Sequence, residues 1–141
     1  MPGSAPHGAE PGTGASVYRA PRQDKPWGHE VIFAAVEGLY VGKLIHVHAG
    51  HSLSLQYHRQ KVETISIVHG EASVDYGADA DNLATETFRP GDTIHLPVGA
   101  VHRITAMTDV LFAECSTALP GWRDDVVRLE DAYGRSGTSA P

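Results

Sequence analysis

The sequence predicts an all-β domain, a sandwich or barrel of short strands. Three observations carry this. Eight or nine short runs of strand-forming residues follow one another at close spacing. Turns built on Gly, Pro, Asn and Asp separate them. A single segment, RDDVVRLEDAYG (123–134), has a helical look, which predicts one short C-terminal helix. A chain of 141 residues is the size of one domain and buries a sizeable core.

Taken in order, residues 1–16 are rich in Pro, Gly, Ser and Ala. They bury too little apolar surface to offset their ordering entropy, so a disordered tail is expected there, with a second at 136–141 and the folded domain at 17–135. EVIFAAV (30–36) reads as a strand that Glu37-Gly38 ends, and LYVGKLIHVH (39–48) as another before the Ala49-Gly50 turn. SLSLQYH (52–58) alternates: Leu53, Leu55 and Tyr57 share one face, and Ser54, Gln56 and His58 the other. VETISIVH (62–69) ends at Gly70, EASVDYG continues the meander, and ADADN forms a polar loop. LATETFR (83–89) leads into the turn Pro90-Gly91-Asp92; TIHLP, VHRITA and VLFAECS supply three more strands.

Composition narrows the function. The formal net charge is −6 and the basic residues are scattered, so no stripe suits nucleic acid or an anionic membrane. No apolar run approaches the roughly 20 residues that cross a bilayer, and the N-terminus lacks the pattern of a secretory leader. Cys115 is the single cysteine, which excludes an internal disulfide. These features lead us to expect a cytoplasmic protein with a small-molecule partner. There are nine histidines, most of them between His46 and His102.

Gln56 and His58, two apart on a strand, project from one face, and Glu63 opens the next strand after a short connection. Later, GDTIHLPVGAVH (91–102) sets His102 just beyond a turn shaped by Pro97 and Gly99. Two imidazoles, a carboxylate and an amide oxygen are competent ligands for a borderline divalent ion: Zn first, with Mn, Fe, Co and Ni also suited.

The spacing Gly91, Pro97, Gly99, His102 resembles the second motif of the cupin superfamily. The first cupin motif has His-x-His before its Glu. Here it is Gln56-Tyr57-His58, within SLQYH, which resembles the type II mannose-6-phosphate isomerase branch, the domain found at the C-terminus of mannose-1-phosphate guanylyltransferases. Lys25-Pro26-Trp27-Gly28, Tyr40 to Lys43, Ala113-Glu114-Cys115 and the run Asp124 to Arg135 resemble further segments of that branch, over about residues 22–135. The resemblance implies a single cupin (jelly-roll) barrel, a metal held by Gln56, His58, Glu63 and His102, a substrate-facing Arg128, a weaker substrate contact at Lys43, and a homodimer. Departures are visible: Thr64 and Ile65 replace a His and a Trp, Ala106 an Asn, and Gly42 a Val. No nucleotidyltransferase segment is visible, so that activity is not expected.

Each of these residues also has a plainer reading. Gln56 and His58 suit a solvated strand face, His102 a turn cap, and Arg128 an i,i+4 pair with Asp124 on a helix. Trp27 and Tyr133 read as packing residues, and Cys115 as a small core residue. His46, His48 and His95 stand as candidate bases or as surface residues. The leading expectation is a metal-dependent aldose–ketose isomerase or epimerase acting on a sugar phosphate. Two alternatives remain: a metal-dependent tailoring enzyme of secondary metabolism acting on an amino acid or activated carbonyl, and a non-catalytic small-molecule-binding cupin.

Overall fold

A computed structural model of the protein describes residues 14–138. Most of the expected N-terminal tail, and residues 139–141 of the C-terminal one, lie outside them. Eleven strands run in chain order: β1 Arg22–Lys25, β2 Gly28–Val36, β3 Tyr40–Val47, β4 Leu55–Tyr57, β5 Glu63–His69, β6 Ala72–Gly77, β7 Ala84–Phe88, β8 Thr93–Leu96, β9 Val101–Ala106, β10 Val110–Thr117 and β11 Val127–Glu130. They form two antiparallel sheets, one ordered β1-β2-β3-β10-β5-β8 and the other β11-β4-β9-β6-β7.

Alternation of side chains along the strands closes the core. On β5, Glu63, Ile65 and Ile67 are buried while Thr64 and Ser66 are half-buried on the other face. On β9, His102, Ile104 and Ala106 face inward. Phe112 of β10, at 0% exposure, packs with Trp27, Ile45, Ile65, Ile67, Val74, Phe88 and Ile104 from both sheets. Each such side chain contributes roughly 1.5–3 kcal/mol by leaving water. A buried apolar core thus fills one part of the space between the sheets, and polar residues line the rest.

The expected C-terminal helix does not form. Trp122–Asp124 make one 3-10 turn, and the following residues become β11. The reason lies in β4, which meets β9 at the single register pair Gln56↔His102 and so leaves an edge to fill. Backbone groups at that edge need partners; Val127, Arg128 and Glu130 provide them opposite Tyr57, Gln56 and Leu55. The β-branched Val127 favours a strand, and a helix this short would not recover its nucleation cost. Arg128 therefore makes no i,i+4 helix pair with Asp124. Strand β1 is a second addition to the predicted set.

Cys115 is also corrected: it is exposed, because the inward positions of β10 are taken by Phe112, Glu114 and Ser116.

Candidate metal centre

Neighbouring strands bring the predicted residues together. Arg128 lies opposite Gln56, and Gln56 opposite His102, so three of them share one row across β11, β4 and β9. Glu63 comes from the facing sheet. Gly99 holds φ 84, a left-handed conformation that favours glycine, and its amide donates to the His58 carbonyl at 2.9 Å. That bond ties the turn before His102 to the end of β4.

His58 Nε2 lies 2.8 Å from Glu63 Oε1, and His102 Nε2 lies 3.1 Å from the same oxygen. All three residues are buried, at 5%, 2% and 4% exposure. Their candidate ligand atoms lie within 4.8 Å of one another. The other ring nitrogen decides what these atoms can do. His58 Nδ1 bonds the Asp125 carbonyl and His102 Nδ1 the Ala100 carbonyl. A carbonyl oxygen only accepts, so each Nδ1 carries a proton and each neutral ring presents a lone pair at Nε2. Two lone pairs converging on a buried carboxylate oxygen require positive charge between them. Protons on the rings supply it in one state, and a divalent cation fits the same donor set. Burial raises the Glu63 pKa, but hydrogen bonds from His102 and His58 hold it well below the usual carboxylate range. Burial lowers that of His102, but Glu63 raises it above the ordinary imidazole value.

Gln56 lines the same cavity, where its Oε1 accepts from Ser54 Oγ at 2.5 Å. The cavity has a volume of about 560 Å³ and reaches from His58 and Glu63 to the C-terminal segment. Lys43 stands in its wall, 3.5 Å from Glu30 and opposite Glu114 in the β3–β10 register. Burial works against the Lys43 charge, but Glu114, Glu30 and Glu63 raise its pKa above the ordinary value. Arg128 is buried; its Nη1 donates to the Thr138 carbonyl at 2.9 Å, while its Nε has no hydrogen-bond partner among the described residues.

Several cavity residues had no role in the sequence reading: Lys25, Glu30, Lys61, Glu114 and Asp125. The available signal was a charged residue at an inward strand position, as Glu114 stands between Phe112 and Ser116. Three histidines considered as bases are elsewhere. His46 stacks on His29 with centroids 4.3 Å apart, His48 is exposed, and exposed His95 contacts Thr64 Oγ1 at 3.1 Å. None of the three lines the cavity, and neither do Thr64 and Ile65. Trp27 is buried in the core, and Tyr133 packs against it with its hydroxyl 2.7 Å from His51 Nδ1.

The sequence profile of the mannose-6-phosphate isomerase C-terminal family matches residues 15–131. The chain belongs to that family. Among family relatives, the xanthan biosynthesis protein XanB of Xanthomonas campestris is 32% identical over 86% of this chain and 27% of its own length. The mannose-1-phosphate guanylyltransferase ManC of Salmonella typhimurium is 32% identical over 79% of this chain and 22% of its own. The chain thus spans about a quarter of the length of these relatives. In structure it is similar to the capsular polysaccharide assembling protein CapF from Staphylococcus aureus (TM-score 0.70, 17% identity, 81% of this chain and 32% of that one). It is also similar to oxalate decarboxylase from Bacillus subtilis (TM-score 0.68, 15% identity, 78% and 30%). At these identities the likeness speaks for the fold, a single cupin jelly roll.

Proposed function

We propose that this domain of the mannose-6-phosphate isomerase C-terminal family is a metal-dependent isomerase or epimerase acting on a sugar phosphate. One observation carries the reading: a single cavity is lined by His58 and Glu63, with His102 3.1 Å from Glu63, and its wall carries three cations without a carboxylate partner among the described residues, Lys25, Lys61 and Arg128. A substrate with a carbonyl at one end and a phosphate at the other matches that division.

His58, Glu63 and His102, with Gln56 beside them, would hold the ion. When bound, a divalent ion supplies Lewis-acid polarisation of a substrate carbonyl. The remaining work belongs to the chain. Arg128 and Lys25 bind and orient the phosphate through charge-assisted hydrogen bonds. Burial lowers the Lys25 pKa, Glu30 opposes this, and Lys43, Arg135 and Arg128 add to it, so a dianion in the cavity relieves several like charges together. Lys43, ion-paired with Glu30, is better suited to fixing that carboxylate than to binding phosphate. The altered pair Thr64 and Ile65 lies outside the cavity, so it gives no support to a tailoring enzyme of different substrate.

The test loads purified protein with Zn, Mn, Fe, Co or Ni in turn and follows conversion of mannose 6-phosphate to fructose 6-phosphate. Turnover is expected, a chelator abolishes it, and His58→Ala removes the metal by elemental analysis. Lys25→Ala and Arg128→Ala should each raise KM about 10- to 100-fold, the loss of one charge-assisted bond of roughly 1.5–3 kcal/mol. Metal-loaded protein that leaves every hexose phosphate unchanged overturns the substrate. Tight binding without product favours a binding module.

A further inference from the structure

We propose that Glu114 is the base that carries the substrate proton between neighbouring carbons, an assignment that rests on the isomerase reading above. Aldose–ketose isomerisation needs a group that takes a proton from one carbon and returns it to the next. None of the histidines considered as bases from the sequence, His46, His48 and His95, lines the cavity, so the group must come from elsewhere on its wall.

The wall offers the buried carboxylates Glu30 and Glu63 and the half-buried Glu114, and their surroundings separate them. Glu63 is committed to two imidazoles at 2.8 and 3.1 Å. Glu30 is ion-paired with Lys43 at 3.5 Å. The Glu114 side chain makes no hydrogen bond or ion pair with any described residue. It is held in the middle of the six-stranded sheet by β3 on one side and β5 on the other, directly opposite Lys43 and Ile65. A rigid central strand is the best mount for a group that must reach two adjacent carbons without moving far. Asp124 and Asp125 also border the cavity, but Asp125 is spent on three backbone amides and Asp124 is exposed at the mouth.

The step balances without any redox partner. The C2 proton passes to Glu114, the C2–H electron pair becomes the C1=C2 bond of an enediol, and the C1 carbonyl oxygen takes a proton from solvent. The C2 hydroxyl then returns a proton to solvent, and its electron pair forms the C2 carbonyl. The C1=C2 pair takes the Glu114 proton to make the new C1–H bond. Burial and the neighbouring Glu63 charge raise the Glu114 pKa above the usual carboxylate value, and Lys43, opposite it in register, works against this.

The experiment compares wild type, Glu114→Gln and Glu114→Asp, each metal-loaded, with mannose 6-phosphate in deuterated water. Proton NMR follows both isomerisation and deuterium entering C1 of the product. Glu114→Gln should lower both by about 10²- to 10⁴-fold, with metal content and calorimetric substrate binding within about threefold of wild type, as expected for loss of the base alone. Glu114→Asp, which keeps the carboxyl, should recover part of the rate. The assignment is overturned if Glu114→Gln isomerises within tenfold of wild type. It is equally overturned if that variant loses metal or substrate binding, since the role is then structural. Wild type without turnover on any hexose phosphate overturns the underlying reading instead, so the two failures are told apart.

Discussion

Asp125 joins two parts of the chain that are remote in sequence. Its carboxylate accepts the amides of Arg59, Gln60 and Lys61 at 2.8, 3.0 and 2.9 Å, and its backbone carbonyl receives His58 Nδ1–H. One residue thus fixes both the connection from His58 to Glu63 and the ring orientation of His58. Burial raises its pKa, but the three amides hold it below the usual carboxylate value. A depressed folded pKa contributes stability above the unfolded carboxyl value and loses it as pH falls through the folded one. Asp125→Ala should therefore cost roughly 1–2 kcal/mol at neutral pH, measured by urea unfolding of the chelated protein. The difference from wild type should fade as the pH drops below about 4. Metal affinity of the variant should fall about 10- to 100-fold, the usual cost of losing a group that orients a ligand.

Gly42 shows a second residue-scale adjustment. A Cβ there would come 2.5 Å from Phe33 Cζ, so the Phe33 ring occupies the space of the side chain that relatives are expected to carry. The ring is 46% exposed and free to swing outward. Gly42→Val should then cost less than about 1 kcal/mol alone. In a Phe33→Ala background it should stabilise by up to about 1 kcal/mol, since Val suits a strand better than Gly. Thermal unfolding of the double-mutant cycle checks both signs.

At the scale of elements, β4 is the weakest mount in the site. It is three residues long, and β11 provides three of its register pairs against one from β9. Truncation after Val126 should strip the metal from His58 while leaving the β-sheet circular dichroism largely intact, because the core cluster contains no residue of β4 or β11. This also shows what the sequence could and could not reveal. The candidate ligand set was legible because SLSLQYH alternates, placing Gln56 and His58 on one face, and because the spacing of Gly91, Pro97, Gly99 and His102 resembles a known motif. Strand β1, RQDK, carries no apolar pattern and becomes a strand by completing an edge beside β2. β11 hides in the same way, since Val126, Val127 and Leu129 fit a helix face as well as a strand, and the open edge of β4 that decides between them is a tertiary fact. Glu114 was visible as part of a resemblance, but its isolation within the cavity depends on which partners Glu30 and Glu63 choose.

Across the whole molecule, the outer surface of the six-stranded sheet is notable for its chemistry. Val31, Leu44, Ala113, Ser66 and Thr93 form one row, and Ala34, Gly42, Cys115, Thr64 and His95 the next. No charged side chain stands in either row; Arg22 and Asp24 of β1 bound the face at one edge and pair with each other at 3.1 Å. Phe33, Tyr40 and Val68 are exposed on or beside it. Such a surface suits a second copy of the chain better than water, so we expect a homodimer through this sheet. Light scattering should report twice the monomer mass, and Ser66→Arg should return it to the monomer; monomer alone from the unaltered chain removes this expectation.

The residues lining the cavity, from Pro21 to Arg135, belong to one continuous stretch of polypeptide. A unit assembled in that way can be grafted whole onto a larger scaffold, or excised from one, and carry its interior chemistry with it, which suits a domain whose counterparts sit within proteins several times its length.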